Sequence, residues 1–364
     1  MTQSFNSGWT SVGLNSALDT AVFPAGADAQ RLPPGFALIA EDPELGPSVS
    51  SCLAEVEKQL RGAIANSDPL ADATSRHLVE AGGKRIRPLL TILASHLGNP
   101  ARAKVVQAAV VVELTHLATL YHDDVMDSAP YRRGAPTAHE VWGNSVAILT
   151  GDLIFARASI LVSELGGEAL GIQARTFERL CLGQLHETVG PRDGQDDLEH
   201  YLSVIADKTG SLVAAAGQLG AIFADTPPEV VDVMVSYGEK VGVAFQLADD
   251  VIDVTGLKVK SGKAPGADLR EGIPTLPVIL LRRAAAAGDG SAADVVALVD
   301  SDLSSAEALA EAVAAVRSHP QTQKAWAVAQ RWADDAVAAL NPLPDSVVKQ
   351  ALTSFAQAVV SRDV

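Results

Sequence analysis

Residues 103–118, AKVVQAAVVVELTHLA, are apolar on nearly every side. A helix without a polar face must be packed all round, so it belongs at the centre of a bundle of other helices. The rest of the chain agrees. Apolar residues recur at helical spacing through 47–65, 69–97, 101–127, 138–166, 168–189, 196–224, 227–255, 274–286, 292–300, 304–341 and 345–361. The breaks fall at Gly and Pro, as in GNPARA, TPPEV and NPLPDS. No stretch alternates as a half-buried strand does. The expected fold is all-α, a single large helical bundle packed around central apolar helices over residues 46–364. Residues 1–45 are rich in Ser, Gly, Pro and Ala without helical period, and are expected to form a mobile tail that docks locally through Phe5, Trp9 and Phe23.

Composition narrows the function. Hydrophobic residues make up 48% of the 364, enough for a substantial core, and aromatics only 4%. The formal charge is −16, from 28 basic and 44 acidic residues. Such a chain repels a phosphate backbone, which argues against a nucleic-acid partner. Cys52 and Cys181, the only cysteines, cannot build a disulfide framework or a cysteine zinc site, and are expected to be buried thiols in a reducing compartment. No Lys or Arg precedes Arg31, and no uninterrupted apolar run has the length of a membrane span. The expected location is the cytoplasm.

The central helix runs into TLYHDDVMDSAP, residues 119–130. Asp123, Asp124 and Asp127 stand at i, i+1 and i+4, so the first and last share a helix face. Like charges there repel each other and the negative end of the helix dipole. A hard divalent cation offsets both effects, and Mg²⁺ needs only one or two carboxylates because it keeps waters and takes phosphate oxygens. The arrangement recurs in FQLADDVIDVTG, residues 245–256, at Asp249, Asp250 and Asp253. One such knot is commonly just a solvated helix end. Two of them can hold a cluster of Mg²⁺ ions, and several divalent ions in one cleft call for a bridging polyanion such as diphosphate.

Basic residues are placed to match. EAGGKRIRPLL carries Lys84, Arg85 and Arg87; YRRGAPT carries Arg132 and Arg133 just past the first knot; ADKTGSL carries Lys208 and Thr209. Guanidinium groups pair with phosphate oxygens and Lys acts as a point charge. Gln246 lies one turn before the second knot, and His116 two turns before the first. Either a satisfied core position or a diphosphate contact accounts for His116. The segment GLKVKSGKA lacks P-loop spacing, and G-x-G-x-x-G, H-E-x-x-H and G-x-S-x-G are absent.

GGKRIRP, HDDVMD followed by RRG, GDLIFARA, DKTGSL, FQLADDVID and GADLREGIPTLP occur in an order that resembles the trans-isoprenyl (polyprenyl) diphosphate synthases of the long-chain bacterial type. The resemblance covers about 81–277 by motif. It implies the isoprenoid synthase type I fold around a catalytic cavity, three Mg²⁺ ions with substrate bound, and metal ligands at Asp123, Asp127, Asp249 and Asp253. It implies that Lys84, Arg87, His116 and Arg133 hold isopentenyl diphosphate. Arg132, Lys208, Thr209 and Gln246, with Lys263 from the following loop, are implied to hold the allylic diphosphate (geranyl, farnesyl or geranylgeranyl). The catalytic set is then Asp123, Asp127, Lys208 and Asp249. The implied protein is a homodimer with no transmembrane segment that touches membrane transiently to release product.

The implied reaction ionises the allylic diphosphate and adds successive isopentenyl units to give an all-trans polyprenyl diphosphate for a respiratory quinone side chain. Large rings at Ala118 or Thr119 would close the product tunnel in this family, and both side chains are small here; Leu114 and Thr115 lie one turn deeper. The resemblance implies a product of roughly seven to ten isoprene units. Two positions depart from the family pattern: Ile273 stands where Lys is frequent, and GQLHE matches only loosely, so Gln184 receives no role. A class I terpene cyclase and a non-catalytic subunit of a two-protein synthase are the alternatives. The full second knot and GGKRIRP weigh against the first, and two intact knots against the second.

Overall fold

Helix starts follow the capping chemistry of the sequence. The Asp68 carboxylate accepts from the Ala71 amide at 2.9 Å ahead of Pro69, and Asp196 accepts from the Glu199 amide at 2.8 Å. Asp289, Ser305 and Ser346 cap in the same way. The computed structural model describes residues 35–256 and 265–361. In chain order the elements are α1 (Ala37–Glu41), α2 (Leu45–Ile64), α3 (Pro69–Glu80), α4 (Ile86–Ser95), α5 (Arg102–Met126), β1 (Tyr131–Arg132), β2 (Ala135–Pro136), α6 (Ala138–Trp142), α7 (Asn144–Leu165), α8 (Gly167–Val189) and α9 (Asp197–Ile205). A π turn at Ala206–Gly210 leads into α10 (Ser211–Ile222), followed by α11 (Pro228–Thr255), α12 (Ala267–Glu271), α13 (Leu276–Ala286), α14 (Gly290–Val299), α15 (Ala306–Ser318), α16 (Pro320–Ala339) and α17 (Val347–Ala358). The all-α expectation holds.

The chain divides into two compact units. The first comprises Arg61–Gly83 and Leu117–Arg157. Within it Tyr121 ties the end of α5 to α3: its hydroxyl donates to the Thr74 carbonyl at 2.5 Å and accepts from the Leu78 amide at 3.3 Å. The two-residue strands β1 and β2 pair antiparallel, Tyr131 opposite Pro136 and Arg132 opposite Ala135. The second unit holds residues 35–60, 84–116 and the described remainder from Ala158. Its centre is α10, buried at most positions. A Cβ at Gly238 of α11 would lie 2.6 Å from the Ala214 Cα, and one at Gly220 would overlap the Thr91 carbonyl, so both neighbours approach α10 backbone to backbone. Along α11, Val243, Leu247 and Val251 pack with Ala325, Trp326 and Ala329 of α16. Val254, Leu269, Val278, Leu281 and Val313 gather α12, α13 and α15 around the end of α11.

Several boundaries differ from the sequence reading. Part of the stretch expected as a tail is folded: α1 is helical, Ile39 is buried, and Phe36 stacks on Phe355 at 4.6 Å. Residues 1–34, with Phe5, Trp9 and Phe23, lie outside the described residues. The expected helix 69–97 is two helices, because Gly82 and Gly83 take positive φ (87° and 151°) between them. Gly143 (φ 82°) divides 138–166, and Pro320 divides 304–341. The hairpin β1–β2 is strand structure the sequence did not announce. Cys181 is exposed, not buried; Cys52 is buried. Among the described residues two helices, α5 and α7, are long and apolar enough to cross a membrane, although no uninterrupted apolar run is; scattered residues such as Glu113, Asp152 and Arg157 interrupt the runs without lowering the average enough. Most of the apolar window of α5 is buried inside the protein, and about a third of that of α7.

Candidate active site

The first knot ends α5 within the first unit. The Asp127 amide continues the helix to the Asp123 carbonyl at 2.8 Å, and Ser128, at φ 49°, turns the chain out of it. The three carboxylates do not behave alike. Asp127 is exposed and Asp123 half-buried, while Asp124 points inward at 1% exposure. Arg132, just after the helix, donates from Nε to Asp124 Oδ1, and Asp124 Oδ2 has no hydrogen-bond partner. Burial pushes the Asp124 carboxyl up, against the pull of Arg132. Arg132, expected on the allylic diphosphate, is therefore engaged with the knot itself. Arg133 lies over the glycine turn, donating from Nη1 to the carbonyls of Leu78 (3.1 Å) and Gly82. A Cβ on Gly83 would meet its guanidinium at 3.0 Å, so the glycine leaves room for it. Ala118 is fully buried and Thr119 half-buried one turn and more above the knot. His122 contacts the Ile148 carbonyl and Asp152, both at 3.2 Å, over Gly151.

The second knot ends α11 within the second unit, and it repeats the division of labour. Asp249 is exposed, Asp253 half-buried and Asp250 buried at 6% exposure. The Tyr201 hydroxyl donates to Asp250 Oδ2, and Gln246 Nε2 donates to Oδ1 at 2.9 Å. Burial pushes the Asp250 carboxyl up to about 7, against these two hydrogen bonds. Asp253 accepts from the amides of Ala267 and Asp268 at 3.3 Å, joining the knot to α12. Gln246 also accepts from the Thr209 hydroxyl at 3.3 Å, so both ends of the amide expected on diphosphate are engaged within the protein.

Lys208 and Thr209 sit on the π turn, a rare feature concentrated at functional sites. Arg179 of α8 fixes that turn by donating to Asp207 at 2.7 Å and to Glu239 at 2.8 Å. Gly183 lets it approach, since a Cβ there would lie 2.9 Å from the Lys208 amide nitrogen. Lys208 Nζ is paired with Glu187. In the basic cluster before α4, Arg85 is structural: it bridges Glu57 and Glu113, the latter at 2.8 Å. Lys84 is exposed, His116 is half-buried, and the Arg87 Nε is buried without a hydrogen-bond partner. Burial pushes the Arg87 guanidinium down, against Glu113.

The structure thus groups Asp123, Asp127, Arg132 and Arg133 in one unit, and Lys208, Thr209, Gln246, Asp249 and Asp253 in the other, where Lys84, Arg87 and His116 also reside. Lys263 lies outside the described residues. Tyr201, Arg179 and Glu187 escaped the sequence reading; the available signal was that Tyr201 precedes Lys208 by two helical turns. Gln184 Oε1 is buried without a hydrogen-bond partner. A cleft of about 740 Å³ is lined by Ile273, Arg270 and Arg282, but Arg282 is already paired with Asp300 and neither knot borders it, so the chemistry is not there.

Comparison with models of protein families matches residues 68–316 to "Polyprenyl synthetase". The chain belongs to the polyprenyl synthetase family. It is 42% identical over 316 residues to the nonaprenyl diphosphate synthase of Mycobacterium tuberculosis, covering 86% of this chain and 93% of that one. Among solved structures it resembles the geranylgeranyl pyrophosphate synthase of Corynebacterium glutamicum complexed with calcium and isoprenyl diphosphate (41% identity, TM-score 0.77, 88% of this chain and 97% of that one). It also resembles the polyprenyl synthase of Caulobacter crescentus (31% identity, TM-score 0.82, 92% and 100%). This polyprenyl synthetase is a prenyltransferase with the isoprenoid synthase fold. Among its described residues no three His, Cys, Asp or Glu side chains converge to hold an ion by themselves. Asp123 with Asp127, and Asp249 with Asp253, are carboxylate pairs four residues apart on their helices, the hard oxygen donors that a divalent cation takes.

Proposed function

We propose that the enzyme elongates an allylic diphosphate with successive isopentenyl diphosphate units to a long-chain all-trans polyprenyl diphosphate, for the side chain of a respiratory quinone. One observation carries the reading: each knot turns its middle aspartate inward, Asp124 to Arg132 and Asp250 to Tyr201 and Gln246, while the first and third aspartates stay more exposed. Asp123, Asp127, Asp249 and Asp253 would hold Mg²⁺, three ions with substrate bound, which supplies charge neutralisation for the departing diphosphate. Lys208 and Thr209 hold the allylic diphosphate, with Arg132 and Gln246 as supports, joined by Lys263. Lys84, Arg87, His116 and Arg133 hold isopentenyl diphosphate.

The allylic C–O bond breaks with its electron pair leaving on diphosphate. The double bond of isopentenyl diphosphate then attacks the allylic carbon. A proton leaves the new chain for the released diphosphate, the nearest base. No protein nucleophile is needed. Apolar side chains keep water from the cation. Small side chains at Ala118 and Thr119 favour a long product.

We place the enzyme in the cytoplasm as a homodimer. Ile148, Leu149 and Ile160 of α7 are exposed, at 42%, 65% and 54%, and a second copy of the chain would cover them. Incubating the purified protein with radiolabelled isopentenyl diphosphate and geranyl, farnesyl or geranylgeranyl starters, followed by chain-length analysis, tests the reading. Hydrocarbon from the starter alone would make it a cyclase, and no turnover without a second protein would make it a subunit.

A further inference from the structure

We infer that Tyr201 is a positioning residue for the second knot: its hydroxyl, with the Gln246 amide, holds Asp250 inward and thereby aims Asp249 and Asp253 as the donors toward a divalent cation. The inference rests on the proposed prenyl transfer and goes further in naming a residue outside every motif. Tyr201 belongs to α9, and the carboxylate it holds belongs to α11. Each Asp250 oxygen has one donor, Tyr201 of α9 on Oδ2 and Gln246 of its own helix on Oδ1 at 2.9 Å. Gln246 in turn accepts from Thr209 of the π turn at 3.3 Å. The chain Thr209–Gln246–Asp250–Tyr201 therefore locks the π turn, the knot and α9 into one register. Asp249 and Asp250 are adjacent on one helix, so they point about 100° apart, and fixing one inward fixes the direction of the other.

Without the hydroxyl, Asp250 Oδ2 would be a buried acceptor with no donor. The carboxylate then gains by turning outward, which rotates the end of α11 and misplaces its neighbours. Residues that orient metal ligands in this way typically contribute 10- to 100-fold to metal affinity or activity. The ring of Tyr201 packs against the α11 core, so Tyr201→Phe keeps the packing and removes only the donor.

The test titrates Mg²⁺ with inorganic diphosphate into the full chain by calorimetry. Tyr201→Phe is expected to weaken Mg²⁺-dependent diphosphate binding roughly 10- to 100-fold. In turnover assays it should raise the Mg²⁺ needed for half-maximal rate and leave KM for isopentenyl diphosphate unchanged. Placed on Asp250→Ala, it should add little, because both changes cut the same link. Binding and Mg²⁺ requirement equal to wild type would overturn the inference, as would full additivity on Asp250→Ala. Asp250→Asn supplies an independent arm: it keeps an oxygen for Tyr201, so it should bind better than Asp249→Asn, and equal losses would make Asp250 a ligand and end the idea. A wild-type chain that binds Mg²⁺ and diphosphate but elongates nothing would instead defeat the proposed function, leaving this inference to the calorimetry.

Discussion

At the scale of single residues, the two knots solve one electrostatic problem twice with different chemistry. Asp124 is matched by a cation, Arg132, and Asp250 by two neutral donors, Tyr201 and Gln246. The first and third carboxylates of each knot stand at i and i+4, like charges that a divalent cation would bridge. Mg²⁺ with diphosphate should therefore raise Tm by mass action, and Asp123→Asn should shrink that shift and cut turnover about 100-fold or more. Undiminished turnover in this variant would remove Asp123 from the metal site. A second prediction concerns pH. His77 is buried at 3% exposure, with Nε2 2.7 Å from the Pro136 carbonyl, and burial holds its imidazole below the ordinary value. The unfolded chain then binds the proton more readily than the folded one. The stability this contributes is present above about pH 6.5 and is lost as pH falls toward the folded-state value. His77→Gln should flatten the decline of the urea midpoint between about pH 7 and 5; an unchanged slope would mean that other groups cause it.

Among the elements, α5 was the most legible. Its all-round apolar pattern required a central position, and most of its apolar window is buried. That makes Ala118 informative: it is fully buried one turn and more above Asp123. Ala118→Phe should end elongation after about three or four units at near wild-type initial rate, since overpacking costs about 1–3 kcal/mol at each attempt to pass. Wild-type chain length from a folded variant, judged by circular dichroism, would show that Ala118 does not line the path. Helix existence and both knots could be read from spacing because period and charge are local properties. The π turn could not, because ADKTG contains nothing that forbids an α turn; Arg179, Gly183 and Glu239 impose it from other helices. The partners of Asp124 and Asp250 were hidden for a similar reason. Arg132 lies near in sequence yet looked like a substrate contact, and Tyr201 lies 49 residues from its acceptor. The α3–α4 break lies at a Gly-Gly that the apolar period of 69–97 runs across, and the same glycines seat Arg133.

For the whole molecule, the net charge of −16 and the basic clusters fit one scheme, in which a chain that repels anions admits diphosphate only where Lys and Arg have been concentrated. The face of α7 is the feature left open by the interior. Leu149 is 65% exposed on a helix whose mean hydropathy suits a membrane. If a second copy covers it, Leu149→Glu should shift sedimentation from dimer toward monomer, and a single monomeric species in the unaltered protein would refute the homodimer. Dilution then becomes a variable of the enzyme. Association adds to stability in proportion to the logarithm of protein concentration, so Tm should climb across a concentration series and specific activity should fall in the most dilute assays. A rate measured at nanomolar enzyme and one measured in a crowded cell would describe different mixtures of the same polypeptide.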